Sequence, residues 1–300
     1  MRILVSNDDG IDSEGIDILT KIAKNFSNDV WVVAPAKNCS AASRSLTIKE
    51  KLTIKQLSMN KFTVDGTPID CLLAALYKVM PEKKPDLVLS GINSGANLAM
   101  DIGYSGTVGI AIESMLQGIN SIAISQEYSS KSNPTVNWDV AHIVANNTIS
   151  ALIPLMPALS SFPKLSFNVN IPHRPKGIRA TRHAIMIPTT GLRNSKDGNV
   201  DEYQIHGGAI KAMKLYKNIK SKNIKPYKTI PKNETDSLEN LLAMRINNDP
   251  LAHIDDNSDL ATVSNGYVSV TPLSINMNNN NILLNSLSEQ LTTTWQDQKE

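Results

Sequence analysis

Short apolar runs alternate with segments whose apolar residues recur every three or four positions, and this rhythm persists from the first residues to Pro172. Residues 2–6, RILVS, are apolar and partly β-branched, as a central parallel strand should be. A helix start is expected near Ser13 or Glu14, after which Ile16, Leu19, Ile22, Ala23 and Phe26 share one helical face. Four further strands are expected at residues 29–35 (DVWVVAP), 86–90 (DLVLS), 121–125 (SIAIS) and 165–171 (LSFNVNI). Helices are expected over 69–79, with Thr67 as N-cap and Pro68 in the first turn, over 108–117 with Gly118 as C-cap, and over 138–152. Residues 46–64 carry alternating segments that suggest a hairpin or a short extra sheet. Strand and helix in regular alternation predict an α/β fold on a doubly wound, mainly parallel sheet.

From Lys176 the pattern changes. Residues 177–187 (GIRATRHAIMI) read as extended, 188–231 are polar, and 238–245 suggest a short helix. A firm signal returns at 259–273, DLATVSNGYVSVTPL, as a helical turn and then a strand over 267–271. An Asn-rich run at 276–281 and an amphipathic stretch at 282–295 follow. Three parts result: a core over 1–186, a polar insert over 187–258, and a strand returning to the core with a tail helix over 259–300.

A chain of 300 residues can bury a full core. Its formal charge is only +2, and no basic stripe with interleaved aromatics is present, so no nucleic-acid polymer is expected as a partner. Cys39 and Cys71 form neither a disulfide framework nor a metal-ligand spacing, which suits a reducing compartment. The chain enters its first strand directly, and no apolar run reaches the length of about 18 residues needed to span a membrane. A cytoplasmic protein without a membrane segment is the expectation.

In a parallel sheet the carboxyl ends of all strands face one edge, where ligands bind. Four polar loops converge there: Asn7-Asp8-Asp9, residues 38–40, residues 93–97, and Ser105-Gly106-Thr107. Asp8 and Asp9 are like charges side by side, costly without a partner. A divalent cation is the simplest partner, and Ser40 and Asn93 add neutral oxygens. Such an all-oxygen set suits magnesium or manganese and does not suit structural zinc. The Ser105-Gly106-Thr107 turn opens a helix whose free N–H groups would receive a phosphate. Taken singly, the acidic pair also reads as a solvated turn, and the helix start as a cap that binds nothing.

Six segments carry a resemblance: SNDDGIDSEGI (6–16), VVAPAKNCSAASRSLT (32–47), VDGTPIDC (64–71), LVLSGINSGANL (87–98), YSGTVGIAIE (104–113) and NGYVSVTPL (265–273). In that order they resemble the motif series of the SurE family, the stationary-phase survival nucleotidases. The match runs from Met1 to about Thr181 and resumes over 259–273. The resemblance implies a metal-dependent phosphomonoesterase for nucleoside 5′- and 3′-monophosphates, in some members also short polyphosphate. It implies a Rossmann-like core and a C-terminal β-hairpin and helical extension exchanged between subunits of a homodimer or homotetramer. Carried over by position, Asp8, Asp9, Ser40 and Asn93 would hold one Mg²⁺ or Mn²⁺ per subunit, with Asp8 and Asp9 catalytic. Asn97, Ser105, Gly106 and Thr107 would bind phosphate and substrate, while Asn7 and Gly10 hold the acidic turn. The chain departs from the family at Cys39, where a basic residue is usual, and over residues 187–258, which are longer and more polar. That part holds a Lys-rich segment, 211–228, together with His206 and His253; a solvated insert is the expectation.

Direct attack by a metal-activated water is the mechanism this set implies. Three alternatives stand beside it. A covalent aspartyl-phosphate enzyme usually needs a second Asp two places on and a pocket lysine, whereas here the carboxylates are adjacent. A receiver-like signalling module needs a phosphorylatable Asp at the end of the central strand, where this chain has Ser90 and Asn93. A non-catalytic nucleotide-binding module is separated from an enzyme by phosphate release.

Overall fold

The computed structural model describes residues 1–129, 135–156, 164–184 and 256–274, and the backbone of two short strands at 191–194 and 203–206. The expected alternation is present: β1 (Arg2–Ser6), α1 (Glu14–Lys24), β2 (Asp29–Pro35), β3 (Ile54–Ser58), β4 (Lys61–Val64), α2 (Pro68–Ala74), β5 (Leu87–Ser94), α3 (Gly106–Leu116), β6 (Asn120–Gln126), α4 (Trp138–Leu152), β7 (Ser166–Ile171) and β8 (Ile178–Ala180). Next come β9 (Gly191–Asn194) and β10 (Tyr203–His206), an antiparallel pair, then α5 (Asp259–Ser264) and β11 (Val268–Pro272).

The main sheet has nine strands in the order β3-β4-β2-β1-β5-β6-β7-β11-β8. β1 pairs in parallel with β2 on one side and β5 on the other, so the winding reverses beside β1. A reversal of strand order opens a crevice at the carboxyl ends, the usual ligand position in such sheets. The period-2 alternation of β1 explains the two cores. Ile3 and Val5 join Leu19 and Ile22 of α1 and Ala145 and Ile149 of α4, while Leu4 joins Ile69 and Leu72 of α2 and Ile110 of α3. Helices therefore cover both faces, and strands buried on both faces need the near-continuous apolar sequences they have.

Several expectations shift in detail. The strand read as ending at Ser90 continues to Ser94, because pairing with β6 resumes at Asn93↔Ser125 after a break in register. The β3–β4 hairpin is no separate sheet, since β4 pairs in parallel with β2 and extends the main one. α2 has the expected Thr67 cap, and Asp70 completes a reciprocal capping box, but from Ala75 to Val79 the helix widens into a π-turn. The returning strand β11 runs antiparallel to β7 and parallel to β8, so residues 256–274 place a strand between β7 and the edge strand β8. Residues 185–187 of the expected extended run, the Lys-rich segment 211–228, the short helix at 238–245, His253, the Asn run and the tail helix lie outside the described residues.

Candidate active site

The acidic turn is built by its neighbours. Asn7, fully buried, donates Nδ2–H to Gly10 O at 2.9 Å and to Ser13 Oγ at 2.7 Å, and its Oδ1 accepts from Gly10 N at 3.2 Å. Gly10 has φ +101°, and a Cβ there would sit 3.2 Å from the Lys37 carbonyl carbon, so the turn calls for glycine. Asp8 O accepts the Cys39 N–H at 2.7 Å, which ties the loop carrying Ser40 to the turn. Ser40 itself is exposed, its N–H donating to Asn38 Oδ1 at 2.8 Å.

Asp8 is only 3% exposed and is gripped by the start of α3. The Thr107 hydroxyl donates to Asp8 Oδ1 at 2.6 Å, and the Thr107 N–H donates to Oδ2 at 3.1 Å. A Cβ on Gly106 would lie 2.7 Å from Asp8 Cβ, so only glycine allows this approach. Ser105 caps the helix by accepting from Val108 N at 3.1 Å. The helix start assigned by sequence to a phosphate thus presents part of its donor set to the protein's own carboxylate. Negative charge at a helix N-terminus is stabilised by the same dipole in either case.

Asp9 is half-buried, and its Oδ2 accepts from Ser94 N at 3.1 Å. Asn93 donates Nδ2–H to Gly95 O at 2.7 Å, which leaves its Oδ1 as the donor atom for a cation. Asn97 is held on all sides. Its N–H donates to Asn170 Oδ1 at 2.7 Å, its carbonyl accepts from Asn168 and Asn170 at 2.9 Å each, and its Nδ2 donates to Ser125 Oγ at 2.8 Å. One residue beyond Leu98, Ala99 N donates to Asp259 Oδ2 at 2.9 Å. Asp259 is fully buried and accepts in addition from Ala184 N and Leu260 N, with His183 Nδ1 2.9 Å from Oδ2. The returning C-terminal segment is therefore fastened to the loop that carries Asn97.

Burial pushes the Asp8 carboxyl above its ordinary range, against the opposing hydrogen bonds from Thr107. Burial likewise raises Asp9 to about 6, opposed by the Ser94 N–H and reinforced by the charge of Asp8. Among the described residues neither carboxylate takes part in an ion pair. Nor does any group of three or more His, Cys, Asp or Glu side chains form a metal-binding cluster among them. Two carboxylates made costly by burial, a hydroxyl and an amide oxygen are a donor set that suits a hard divalent cation and offers nothing to a soft one. Burial also raises the Cys39 thiol, with the Asp8 charge next, so it stays protonated beside the site.

The sequence brought forward Asp8, Asp9, Ser40, Asn93, Asn97 and residues 105–107, and the fold gathers their loops at one edge of the sheet. It did not bring forward Asn168, Asn170, Ser125, Tyr128 or Asp259. The first two had a visible signal, polar residues two apart in the strand FNVNI, hence on one face. Tyr128, whose hydroxyl donates to Ser94 O at 2.6 Å, had none.

A family model described as "Survival protein SurE" matches residues 3–189. The chain belongs to the SurE family. It is 36% identical to 5′-nucleotidase SurE of Brucella canis over 279 residues, covering 92% of this chain and 93% of that one. With 5′-nucleotidase SurE of Allorhizobium ampelinum it shares 45% identity over 173 residues, 58% of this chain and 66% of that one. The crystal structure of the SurE protein from Aquifex aeolicus superposes with a TM-score of 0.68 at 30% identity, covering 95% of this chain and 98% of that one. The shared fold is the α/β architecture described above. No helix among the described residues is long and apolar enough to cross a membrane.

Proposed function

We propose that this SurE protein is a 5′-nucleotidase that hydrolyses nucleoside monophosphates to nucleoside and phosphate, and that it needs a divalent cation to do so. The observation that carries this reading is the pair of adjacent carboxylates, both raised by burial and both without an ion pair among the described residues, at the switch point of the sheet. The SurE relatives named as 5′-nucleotidases support the substrate class. Nucleoside 3′-monophosphates and short polyphosphate are further substrates on this reading, and the active form is a cytoplasmic homodimer or homotetramer.

Asp8, Asp9, Ser40 and Asn93 would hold the cation, Mg²⁺ or Mn²⁺. When bound it would neutralise charge on the transferring phosphoryl group and lower the pKa of a coordinated water. Thr107 fixes the Asp8 carboxylate through two hydrogen bonds, so that oxygen positions are set before substrate arrives. Among the described residues Asp9 takes one hydrogen bond, from Ser94 N to Oδ2, and its other oxygen would orient the attacking water. Asn97 and Thr107 already donate to Asn170, Ser125 and Asp8, so on this reading the Ser105 hydroxyl would be left to donate to the phosphoryl oxygens. In the covalent alternative Asp8 would be the nucleophile, but both its oxygens already accept from Thr107, which opposes that role.

The test is a panel of phosphomonoesters assayed with the purified protein, with Mg²⁺, with Mn²⁺, and with chelator. The expected result is phosphate release from nucleoside 5′-monophosphates that chelation abolishes and either cation restores. Undiminished release in excess chelator, or a trapped phospho-aspartate, would refute the reading.

A further inference from the structure

Beside the acidic site lies a cavity of about 520 Å³, lined among others by Glu127, Tyr128, His173, Arg174 and Ser264. Its walls follow directly on β6 and β7, so it opens on the same carboxyl edge as Asp8 and Asp9. Tyr128 is the partition between the two. Its hydroxyl donates to Ser94 O at 2.6 Å, while Ser94 N donates to Asp9. The ring packs so closely on Gly95 that a Cβ there would meet Tyr128 Cε2 at 2.9 Å. The volume falls in the range of small-molecule sites, about 300–1,000 Å³.

The lining has unspent polar capacity. Glu127 is anchored, its Oε2 accepting from His173 N at 3.1 Å, which leaves Oε1 to accept. A fixed carboxylate is a standard partner for ribose hydroxyls, and an aromatic ring offers a base its flat face. A second phosphoryl group fits worse, because Glu127 would repel it, although Arg174 stands at the exposed rim.

Resting on the nucleotidase reading, we infer that this cavity receives the nucleoside portion of the substrate, with the ribose on Glu127, and that Glu127, Tyr128 and His173 favour nucleotides over simple phosphomonoesters. The test uses the full-length protein and Glu127→Gln, which keeps the acceptor for His173 N. The probes are a nucleoside 5′-monophosphate, its 2′,3′-dideoxy analogue, p-nitrophenyl phosphate and tripolyphosphate. One hydrogen bond sets the scale, about tenfold. Glu127→Gln should raise KM for the ribonucleotide about tenfold at similar kcat, and leave the dideoxy analogue and p-nitrophenyl phosphate unchanged. The unaltered protein should itself handle the dideoxy analogue about tenfold less efficiently, a comparison that needs no folded variant. Equal effects on all substrates, no effect on any, or an effect confined to tripolyphosphate would overturn the inference. Calorimetric titration with the ribonucleotide separates it from the parent reading. Binding that Glu127→Gln weakens, without any phosphate release, would sustain the cavity and refute the phosphatase.

Discussion

Gly106→Ala puts the contact between α3 and Asp8 to a sharp test. The new Cβ would sit 2.7 Å from Asp8 Cβ, 2.9 Å from Asp8 Oδ2 and 3.0 Å from Pro68 Cγ. Carbon atoms rest at about 3.5–4.0 Å, so the closest pair must part by about 0.8 Å or more. Asp8 has little room to give. Its Cβ adjoins a buried strand end, and its carboxylate is clamped by Thr107. Overpacking of this kind costs about 1–3 kcal/mol. The helix gains at most about 0.5–1 kcal/mol from alanine, and less at its first residue. A net loss of about 0–2.5 kcal/mol, centred on about 1, is expected in urea unfolding, the difference of those two ranges. Activity should fall further, since a displacement of about 1 Å at a reacting centre costs about a hundredfold. Gly103→Ala is the control, because its Cβ would meet nothing within 4 Å. If Gly106→Ala matched Gly103→Ala in both unfolding midpoint and kcat/KM, the claim that α3 fixes Asp8 by contact would be wrong.

Thr107→Val keeps the shape but removes the donor to Asp8 Oδ1, so stability should drop by about 1.5–3 kcal/mol, read in the same unfolding series. Asp9→Asn should fold yet show almost no phosphate release in saturating cation; near-normal turnover would sink the assignment of Asp9. In the cation-free protein Asp9 holds its proton up to about 6 against an ordinary 3.8, so the folded state binds that proton more tightly. Stability should therefore decline as pH rises through that window, and Asp9→Asn should flatten the decline in melting experiments. Asp70 behaves oppositely. Burial pushes it up, but the hydrogen bonds from Thr47 and Thr67 outweigh burial and hold it below 3.8. Its stabilising contribution is thus full above 3.8 and lost as pH falls below, so the stability gap between the parent and Asp70→Asn should shrink on acidification.

The sheet was legible in the sequence because parallel strands buried on both faces write themselves as apolar runs. Residues 29–35 and 138–152 were bounded as they stand. The extension of β5 through Gly91 to Ser94 was not, since small residues read locally as a loop and only pairing with β6 makes them a strand. Candidate ligands could be gathered because strand ends share an edge, which is a rule of topology. What each ligand touches was beyond that rule. Asp8 and Thr107 lie 99 positions apart, and Ala99 and Asp259 lie 160 apart. No local pattern encodes such pairs, nor the meeting of residues 127–129, 172–174 and 263–264 around the cavity behind Tyr128.

Adjacent in sequence, Asp8 and Asp9 are unequal in the fold, and the inequality bears on their roles. Asp8 is sealed in and gripped through both oxygens by one threonine, so its position is fixed by the protein itself. Asp9 is half-open and held by a single N–H, so the binding of a cation or substrate has more freedom to rearrange it. Carboxylates pushed into different environments usually divide the labour of a site. On the proposed reading Asp8 would serve as the fixed post of the cation site and Asp9 as its responsive partner. Because α3 directs part of its N-terminal donor set to Asp8, phosphate charge would, on the proposed reading, be met chiefly by the cation. This is why loss of the cation, more than loss of any single phosphate-side donor, is expected to silence the protein.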